Sequence, residues 1–500
     1  MSTFIGIDLG TTFSAVSMID ATGRPVIVHN SEGENITPSC VTESEPNVLE
    51  VGEYARRSWG NAPETAAARF KRDMGTEASH SINGRAFTPT ELSAIVLKKL
   101  VQDAEKNMGS MAGEAVVTIP ANFSSEAREA TMAAAKSAGL QVKYIINEPT
   151  AAALYYAYQS DEDLHGNYAV YDLGGGTFDV SIIRVDGQNV DVLASNGIAK
   201  LGGDDFDRAL HKLVALKYRE LTGEELESDD FTINDAEEEK RSLSKRKNVT
   251  VKANRQLVDV SREEFEEAIS TLVTQAEMLC ESTIDEAGVE PSDIRAVFLA
   301  GGSTRIPAIR DGIVRVFCQE PISSVNVDEV VAMGASLYAA YKGDQSKLSQ
   351  TQRAAIQKIK VRESTSKCFG TISVTHDEHR DHVKLANSVL IRKGEKIPCS
   401  ITESFYTVHD GQEAVNCQLT ESTSPETDPR FVKVIWEGEL KLPSGRPEGQ
   451  EIRITYSYDD NQMMSCSFVD VATNRKTEID LSMAASQQDS DNSVDKFMVE

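Results

Sequence analysis

The segments Asp8-Leu9-Gly10-Thr11-Thr12-Phe13-Ser14-Ala15-Val16-Ser17 and Asp172-Leu173-Gly174-Gly175-Gly176-Thr177-Phe178-Asp179-Val180-Ser181 echo each other. Each stands between two β-like runs: Phe4-Ile5-Gly6-Ile7 and residues 13–19 flank the first, Tyr168-Ala169-Val170-Tyr171 and residues 178–183 the second. Glycine and small hydroxyl residues between such runs predict tight hairpin turns. Each turn opens on an aspartate. Its glycines let the backbone approach a ligand, so that N–H groups and threonine hydroxyls face phosphate oxygens. One glycine-rich turn is a weak signal; two matched copies imply two related half-domains closing on a single polyphosphate.

A chain of 500 residues exceeds one hydrophobic core, which predicts about three domains. Its 40% hydrophobic and 26% charged residues are those of an ordinary globular protein. The net charge of −27 is densest around residues 224–239 and after Asp489. Such acidity disfavours nucleic acid and anionic lipid as partners, because basic patches drive both contacts. The seven cysteines are dispersed and form no C-x-x-C pair, which fits a reducing cytosol better than a disulfide framework or a zinc site. Met1-Ser2-Thr3 leads straight into a predicted strand, and no apolar run reaches the roughly 20 residues of a membrane span. A cytoplasmic monomer is expected.

Residues 1–185 alternate predicted strands and helices, and residues 186–342 repeat the mixture, with helices near 204–221, 235–246 and 261–287. The fold class expected is α/β, built from two related lobes over residues 1–342. Residues 343–366 are polar and read as a weakly helical linker. From 367 to 483 short strands follow one another (370–374, 383–391, 405–408, 414–419, 431–436, 451–458, 464–469 and 476–481), separated by turn signals such as Asp410-Gly411. This predicts an all-β sandwich. The tail, 484–500, is rich in Ser, Gln and Asp and is expected to be disordered.

Phosphoryl transfer needs positioned phosphates, a divalent cation, charge neutralisation and an oriented nucleophile. Thr11, Thr12, Gly174, Gly175, Gly176 and Thr177 are candidates for the phosphate contacts. Asp8 and Asp172, at strand ends, are placed to hold a hydrated Mg²⁺, which takes few protein carboxylates. Asp179 shares a strand face with Thr177 and is a candidate proton acceptor or cation ligand. Local sequence leaves two readings for Lys71: a solvated surface lysine, or a lysine beside the γ-phosphate. Glu148 is equally a helix cap or a ligand. Glu237 and Lys240 stand at an i,i+3 spacing, an exposed ion pair unless a ligand lies beside them. Gly301-Gly302-Ser303, between strand and helix, suits close approach of a nucleoside.

Together these residues resemble the seventy-kilodalton heat-shock chaperones of the DnaK type, members of the actin-fold ATPases. The resemblance covers residues 3–341 with few gaps. It rests on Ile5-Gly6-Ile7-Asp8-Leu9-Gly10-Thr11-Thr12, Ile146-Asn147-Glu148-Pro149-Thr150, Asp172-Leu173-Gly174-Gly175-Gly176-Thr177-Phe178-Asp179, Leu201-Gly202-Gly203-Asp204-Asp205-Phe206-Asp207 and Gly301-Gly302-Ser303-Thr304-Arg305. It implies that Lys71 orients the attacking water, that Asp8, Glu148, Asp172 and Asp179 organise Mg²⁺ and K⁺, and that Thr12 and Thr177 contact the phosphates of ATP or ADP. It also implies that Glu237, Lys240, Ser244, Gly302, Ser303 and Arg305 hold the adenosine, with Arg241 and Arg305 flanking the base. Pro120 and Arg128 match the switch that relays nucleotide state.

The sandwich resembles the family's peptide-binding domain more loosely, through Ile397-Pro398, Phe405 and Ala414-Val415. The resemblance implies extended polypeptide clients, with Val415 in the central pocket and Val408 in the arch; Phe405 and Cys417 complete the set, and ordinary inward-facing core is the alternative reading for Phe405, Val415, Cys417 and Leu419. J-domain cochaperones and a nucleotide-exchange factor are the implied partners. The sequence departs from the family in four places. Few residues follow Leu481, where the helical lid is expected, so bound peptide is expected to exchange fast. The leucine-rich linker is replaced by Ala355-Ile356-Gln357-Lys358-Ile359-Lys360-Val361, leaving Ile356, Ile359 and Val361 to dock. Tyr144 stands where an arginine usually meets the J-domain, and the lobe loops are short, as in the HscC-like branch. An actin-fold sugar or acid kinase, in which the sandwich has no obvious place, and a filament or non-catalytic nucleotide-gated scaffold are the alternative readings.

Overall fold

The computed structural model describes residues 3–109, 112–140, 142–160, 164–186, 189–227, 229–322, 326–356, 360–362, 364–377, 382–460, 462–480 and 496–500. Contacts divide the chain into two compact units: Met1–Phe123, Ala130–Val361 and Asn492–Glu500 form one, Ser124–Glu129 and Arg362–Asp491 the other.

The first unit contains two sheets of matching design. In one, Thr3–Asp8 pairs in parallel with Ala112–Ile119 on one side and antiparallel with Phe13–Ile19 on the other. In the other, His165–Leu173 pairs in parallel with Ile294–Ala300 and antiparallel with Phe178–Asp186. The aspartate that opens each hairpin therefore stands at the end of the equivalent strand of its lobe, Asp8 as the last residue and Asp172 as the last but one. The inner strands are buried on both faces, which is why they read as near-continuous apolar runs.

Helices Glu148–Gln159 and Val330–Lys342 pack on these sheets and on each other. Small residues permit this: a Cβ on Gly334 would overlap the Ala151 carbonyl, and one on Gly6 would overlap the Ser336 backbone. Ser17 and Ser336 join their hydroxyls at 2.9 Å across the same interface, so a buried polar pair is satisfied. The predicted helices are found at Gly203–Thr222, Ile233–Leu243 and Arg262–Ala287. Thr232 and Ser261 cap the last two through capping boxes with Asp235 and Glu264.

Two expectations need correction. The segment read as a linker, 343–366, belongs largely to the first unit: Gln350–Ile356 is helical, and Leu348 and Ile356 are buried in its core. Residues 357–359 lie outside the described residues. The tail read as disordered from residue 484 ends in a strand, Met498–Val499, parallel to Val48–Val51. Its alternation explains this, because Phe497 and Val499 are buried while Met498 is exposed. Residues 481–495 lie outside the described residues.

The second unit is a sandwich of two four-stranded antiparallel sheets. One runs His382–Ile391, Cys368–Asp377, Ala414–Ser422, Lys433–Lys441; the other runs Cys399–Tyr406, Glu451–Tyr458, Met464–Asp470, Arg475–Asp480. Its core gathers alternate residues of both sheets, among them Phe369, Cys417, Leu419, Ile452, Tyr456 and Phe468. The Tyr456 hydroxyl donates to the Gly370 carbonyl at 2.8 Å, which lets a buried phenol bridge the layers. No helix among the described residues is long and apolar enough to cross a membrane.

Candidate functional site: a cleft between two hairpins

The two hairpins face each other. A Cβ on Gly175 would overlap Thr12 Oγ1, and one on Gly176 would overlap the Thr11 side chain. Between and around them lies a cavity of about 520 Å³, a size that suits a small-molecule ligand. Each turn is braced from within. Gly174 N–H donates to the Thr177 carbonyl at 3.2 Å, and Gly10 N–H donates to Ser14 Oγ at 3.1 Å. Ser39 Oγ donates to the Gly10 carbonyl at 2.8 Å.

Lys71 reaches the cavity from an unusual turn. After strand Ala66–Ala68, Arg69 adopts a left-handed backbone with φ 63° and opens the short helical turn Phe70–Asp73. The strain at a non-glycine residue is held by an ion pair from Arg69 to Asp204 at 2.6 Å and by the Trp59 ring, 4.4 Å beneath the guanidinium. Phe70, fully buried, anchors the turn. Lys71 is 4% exposed and its Nζ donates to Glu148 Oε1 at 2.6 Å. The solvated-lysine reading is thereby excluded, and Glu148 spends its carboxylate on Lys71.

Around this ammonium stand more carboxylates than it can balance. Asp172 and Asp179 are directly opposed across the second hairpin, and opposed residues of antiparallel strands share a face. Burial, then Glu148, pushes Asp8 up to about 7, although Thr118 donates to its Oδ1 at 3.0 Å. Burial, then Glu148 and Asp8, holds Asp172 well above the carboxylate range; burial, then Glu148, does the same to Asp179. Burial opposes the charge on Lys71, but Glu148, Asp8 and Asp179 outweigh it and keep Lys71 above its ordinary value. Asp179 Oδ1 and Thr12 Oγ1 are buried without a hydrogen-bond partner.

Surplus negative charge with an orphaned carboxylate oxygen fits a divalent cation. Among the described residues no three His, Cys, Asp or Glu side chains converge as a direct chelate. That arrangement fits Mg²⁺, which keeps several waters and takes one or two carboxylates.

The far end of the cavity is set by charge pairs from both lobes. Glu237 accepts from Arg56 at 2.7 Å and from Arg241 at 2.7 Å, and the two guanidinium groups lie 5.6 and 5.3 Å from the Phe13 ring. Lys240 pairs with Asp207 at 2.7 Å and donates to the Gly203 carbonyl at 3.1 Å. The i,i+3 surface pair is therefore not formed: Glu237 and Lys240 are both buried, each with other partners. Burial pushes Asp207 up to about 6 against the pull of Lys240.

Gly202 and Gly203 support the second hairpin from behind, where Gly203 N–H donates to the Gly174 carbonyl at 3.0 Å. A Cβ on Gly202 would stand 2.6 Å from the Gly175 carbonyl oxygen. Gly301 turns at φ 78°, which sets Ser303 Oγ to donate to the Gly174 carbonyl at 2.9 Å. Arg305 pairs with Asp328 at 2.6 Å, and Ser244 Oγ donates to the Lys240 carbonyl at 3.1 Å. Of the catalytic, metal and nucleotide residues expected from sequence, all line the cavity except Gly202 and Asp179, which stand behind it. Arg56, Phe13, Thr118 and Asp207 were not expected. Phe13 and Asp207 sit inside the motifs themselves, whereas nothing local marks Arg56.

Pro120 is buried just after strand Ala112–Ile119. Arg128, in the segment that groups with the second unit, is buried there, donating to the Tyr458 hydroxyl and to Ser366 Oγ, the latter at 2.9 Å. Phe405 and Val415 are half-buried at the margin of the sandwich core, and Val408 is exposed just beyond strand Cys399–Tyr406. Cys417 is wholly enclosed in that core and offers a ligand no surface; the core reading holds for it.

A family model described as Hsp70 protein matches residues 4–83 and 77–500. The match takes in the hairpins, the cleft and the sandwich alike, and the chain belongs to the Hsp70 family, whose members are ATP-dependent chaperones.

Proposed function

We propose that this chain hydrolyses ATP in the cleft between its hairpins and uses the nucleotide state to regulate binding of extended apolar polypeptide by the sandwich. The observation that carries the reading is the Lys71–Glu148 pair, buried at 2.6 Å among Asp8, Asp172 and Asp179 beneath two facing Gly-Thr turns. Backbone N–H groups of both turns and the Thr11, Thr12 and Thr177 hydroxyls receive the phosphates. Bound Mg²⁺ supplies neutralisation of the phosphate charge. Lys71 donates to the attacking water and steadies the charge that develops, while Glu148 holds its ammonium in place. Asp179, which shares a strand face with Thr177, either takes the proton or holds the cation. Asp8, Glu148, Asp172 and Asp179 also serve K⁺. Glu237, Lys240, Ser244, Ser303 and Arg305 hold the adenosine, with Arg241 beside the base.

In the sandwich, Phe405 and Val415 receive apolar side chains and Val408 covers an extended backbone, which binds by strand-like hydrogen bonding. Fast peptide exchange in both nucleotide states is part of this reading. We place the chain in the HscC-like branch, as a monomer in a reducing cytoplasm, with a J-domain protein that accommodates Tyr144 and an exchange factor as partners.

The test is ATPase activity with and without an extended apolar peptide, together with peptide affinity under ATP and under ADP. Stimulated turnover and a several-fold difference in affinity are expected. Equal affinity in the two states, or no hydrolysis, overturns the proposal.

A further inference from the structure

Strand Val48–Val51 is the outer strand of a small sheet that continues through Cys40–Glu45 to Ala66–Ala68. An unpaired outer strand is a template for another chain. Here it is covered by residues 496–500, which come from beyond the sandwich in sequence yet group with the first unit. Met498 N–H donates to the Asn47 carbonyl at 3.0 Å, Glu500 N–H to the Leu49 carbonyl at 2.9 Å, and Val51 N–H to the Glu500 carbonyl at 3.0 Å.

The side chains alternate as strand addition requires. Phe497 and Val499 are 7% and 6% exposed and join the lobe core, whereas Met498 is 57% exposed. The Phe497 ring lies 5.7 Å from the Phe87 ring, and the Arg85 guanidinium stacks 4.3 Å above it. A cation over an aromatic face adds selectivity for that ring over an aliphatic residue. Backbone bonds thus supply attachment, and two alternate pockets supply specificity.

We propose that the Val48–Val51 edge, with Arg85 and Phe87, is a receptor for an extended Phe-x-Val segment, and that residues 496–500 of this chain occupy it as a detachable strap. Only two residue pairs, Met498↔Val48 and Val499↔Leu49, set the register. Attachment so local is separable from the fold of the lobe and is held by the high effective concentration of a tethered segment. The same sheet delivers Lys71, which follows Ala68 by three positions at its opposite edge.

The experiment is hydrogen exchange on the full chain, read at the amides of residues 47–51. Phe497→Ala/Val499→Ala should speed exchange at Val51 tenfold or more, while strand Thr3–Asp8 is unchanged. Added peptide of residues 490–500 should restore slow exchange there, and the same peptide with both alanines should not. If the double variant speeds exchange throughout, Met498→Pro reads the same amides, because it removes one N–H and leaves both anchors. Unchanged protection at Val51 in these variants, or a peptide that protects only the sandwich strands, overturns the proposal.

Discussion

Lys71 and Glu148 meet at 2.6 Å, one on a turn opened by a left-handed arginine, the other at the first position of a helix. Both are buried, and Lys71 Nζ pairs directly with Glu148 in a site with three further carboxylates. The pair brings a buried ammonium to the lining of the cleft from two sequence positions that carry no decisive local mark.

Removing that point should stop chemistry before it stops binding. Lys71→Ala is expected to slow single-turnover hydrolysis on the order of 100- to 1000-fold, the scale of losing one positioned donor to developing charge. Nucleotide affinity by calorimetry should change far less. Loss of one partner from a buried ion pair costs about 3–5 kcal/mol, so thermal stability should fall. Lys71→Met/Glu148→Gln should recover stability without recovering turnover.

The cleft should not tolerate a methyl group where its turns meet. Gly175→Ala drives a Cβ into Thr12 Oγ1, and overpacking of this kind costs roughly 1–3 kcal/mol. Binding of a fluorescent nucleotide should weaken about tenfold or more, since ~1.4 kcal/mol is a factor of ten. Thr12→Gly in the same chain relieves the overlap and should return part of the loss.

Arg56 and Glu237 pair at 2.7 Å from different lobes, at the end of the cleft proposed to take the adenosine. Arg56→Ala leaves Glu237 with Arg241 alone and removes one of the two cations over Phe13. Nucleotide dissociation, followed by stopped-flow, should speed several-fold, and hydrolysis of bound ATP should be little changed.

The acidic floor sets a pH dependence with a definite sign. Burial and Glu148 push Asp8 up to about 7 in the folded chain against 3.8 ordinarily, and burial and neighbouring carboxylates raise Asp172 and Asp179 as well. Between those values the folded state binds more protons than the unfolded one, so stability falls as pH rises through this window. The melting temperature of nucleotide-free protein should therefore decline from about pH 5 to about pH 7. Asp179→Asn should flatten that decline, and Mg²⁺ with ADP should do so by favouring the ionised carboxylates.

Much of this was legible in the residues. Asp8, Gly10, Thr12, Asp172, Gly175 and Thr177 announce their hairpins because turn chemistry is local, and the sandwich strands announce themselves by alternation. Lys71 was ambiguous because its burial depends on Arg69, Trp59 and Asp204, residues brought together only by the fold. Glu237 and Lys240 misled as a neighbouring pair because each finds a better partner on another element. The strand at Met498 was hidden by the polar composition around it, although Phe497-Met498-Val499 is a short apolar island. Arg56 had no local mark.

The close crossing of helices Glu148–Gln159 and Val330–Lys342, where Gly334 meets the Ala151 backbone, leaves no room for a side chain between them. Glu148 stands three residues from that point, at the head of its helix. A methyl group at Gly334 would therefore press on the element that carries Glu148 from a position outside the lining of the cleft.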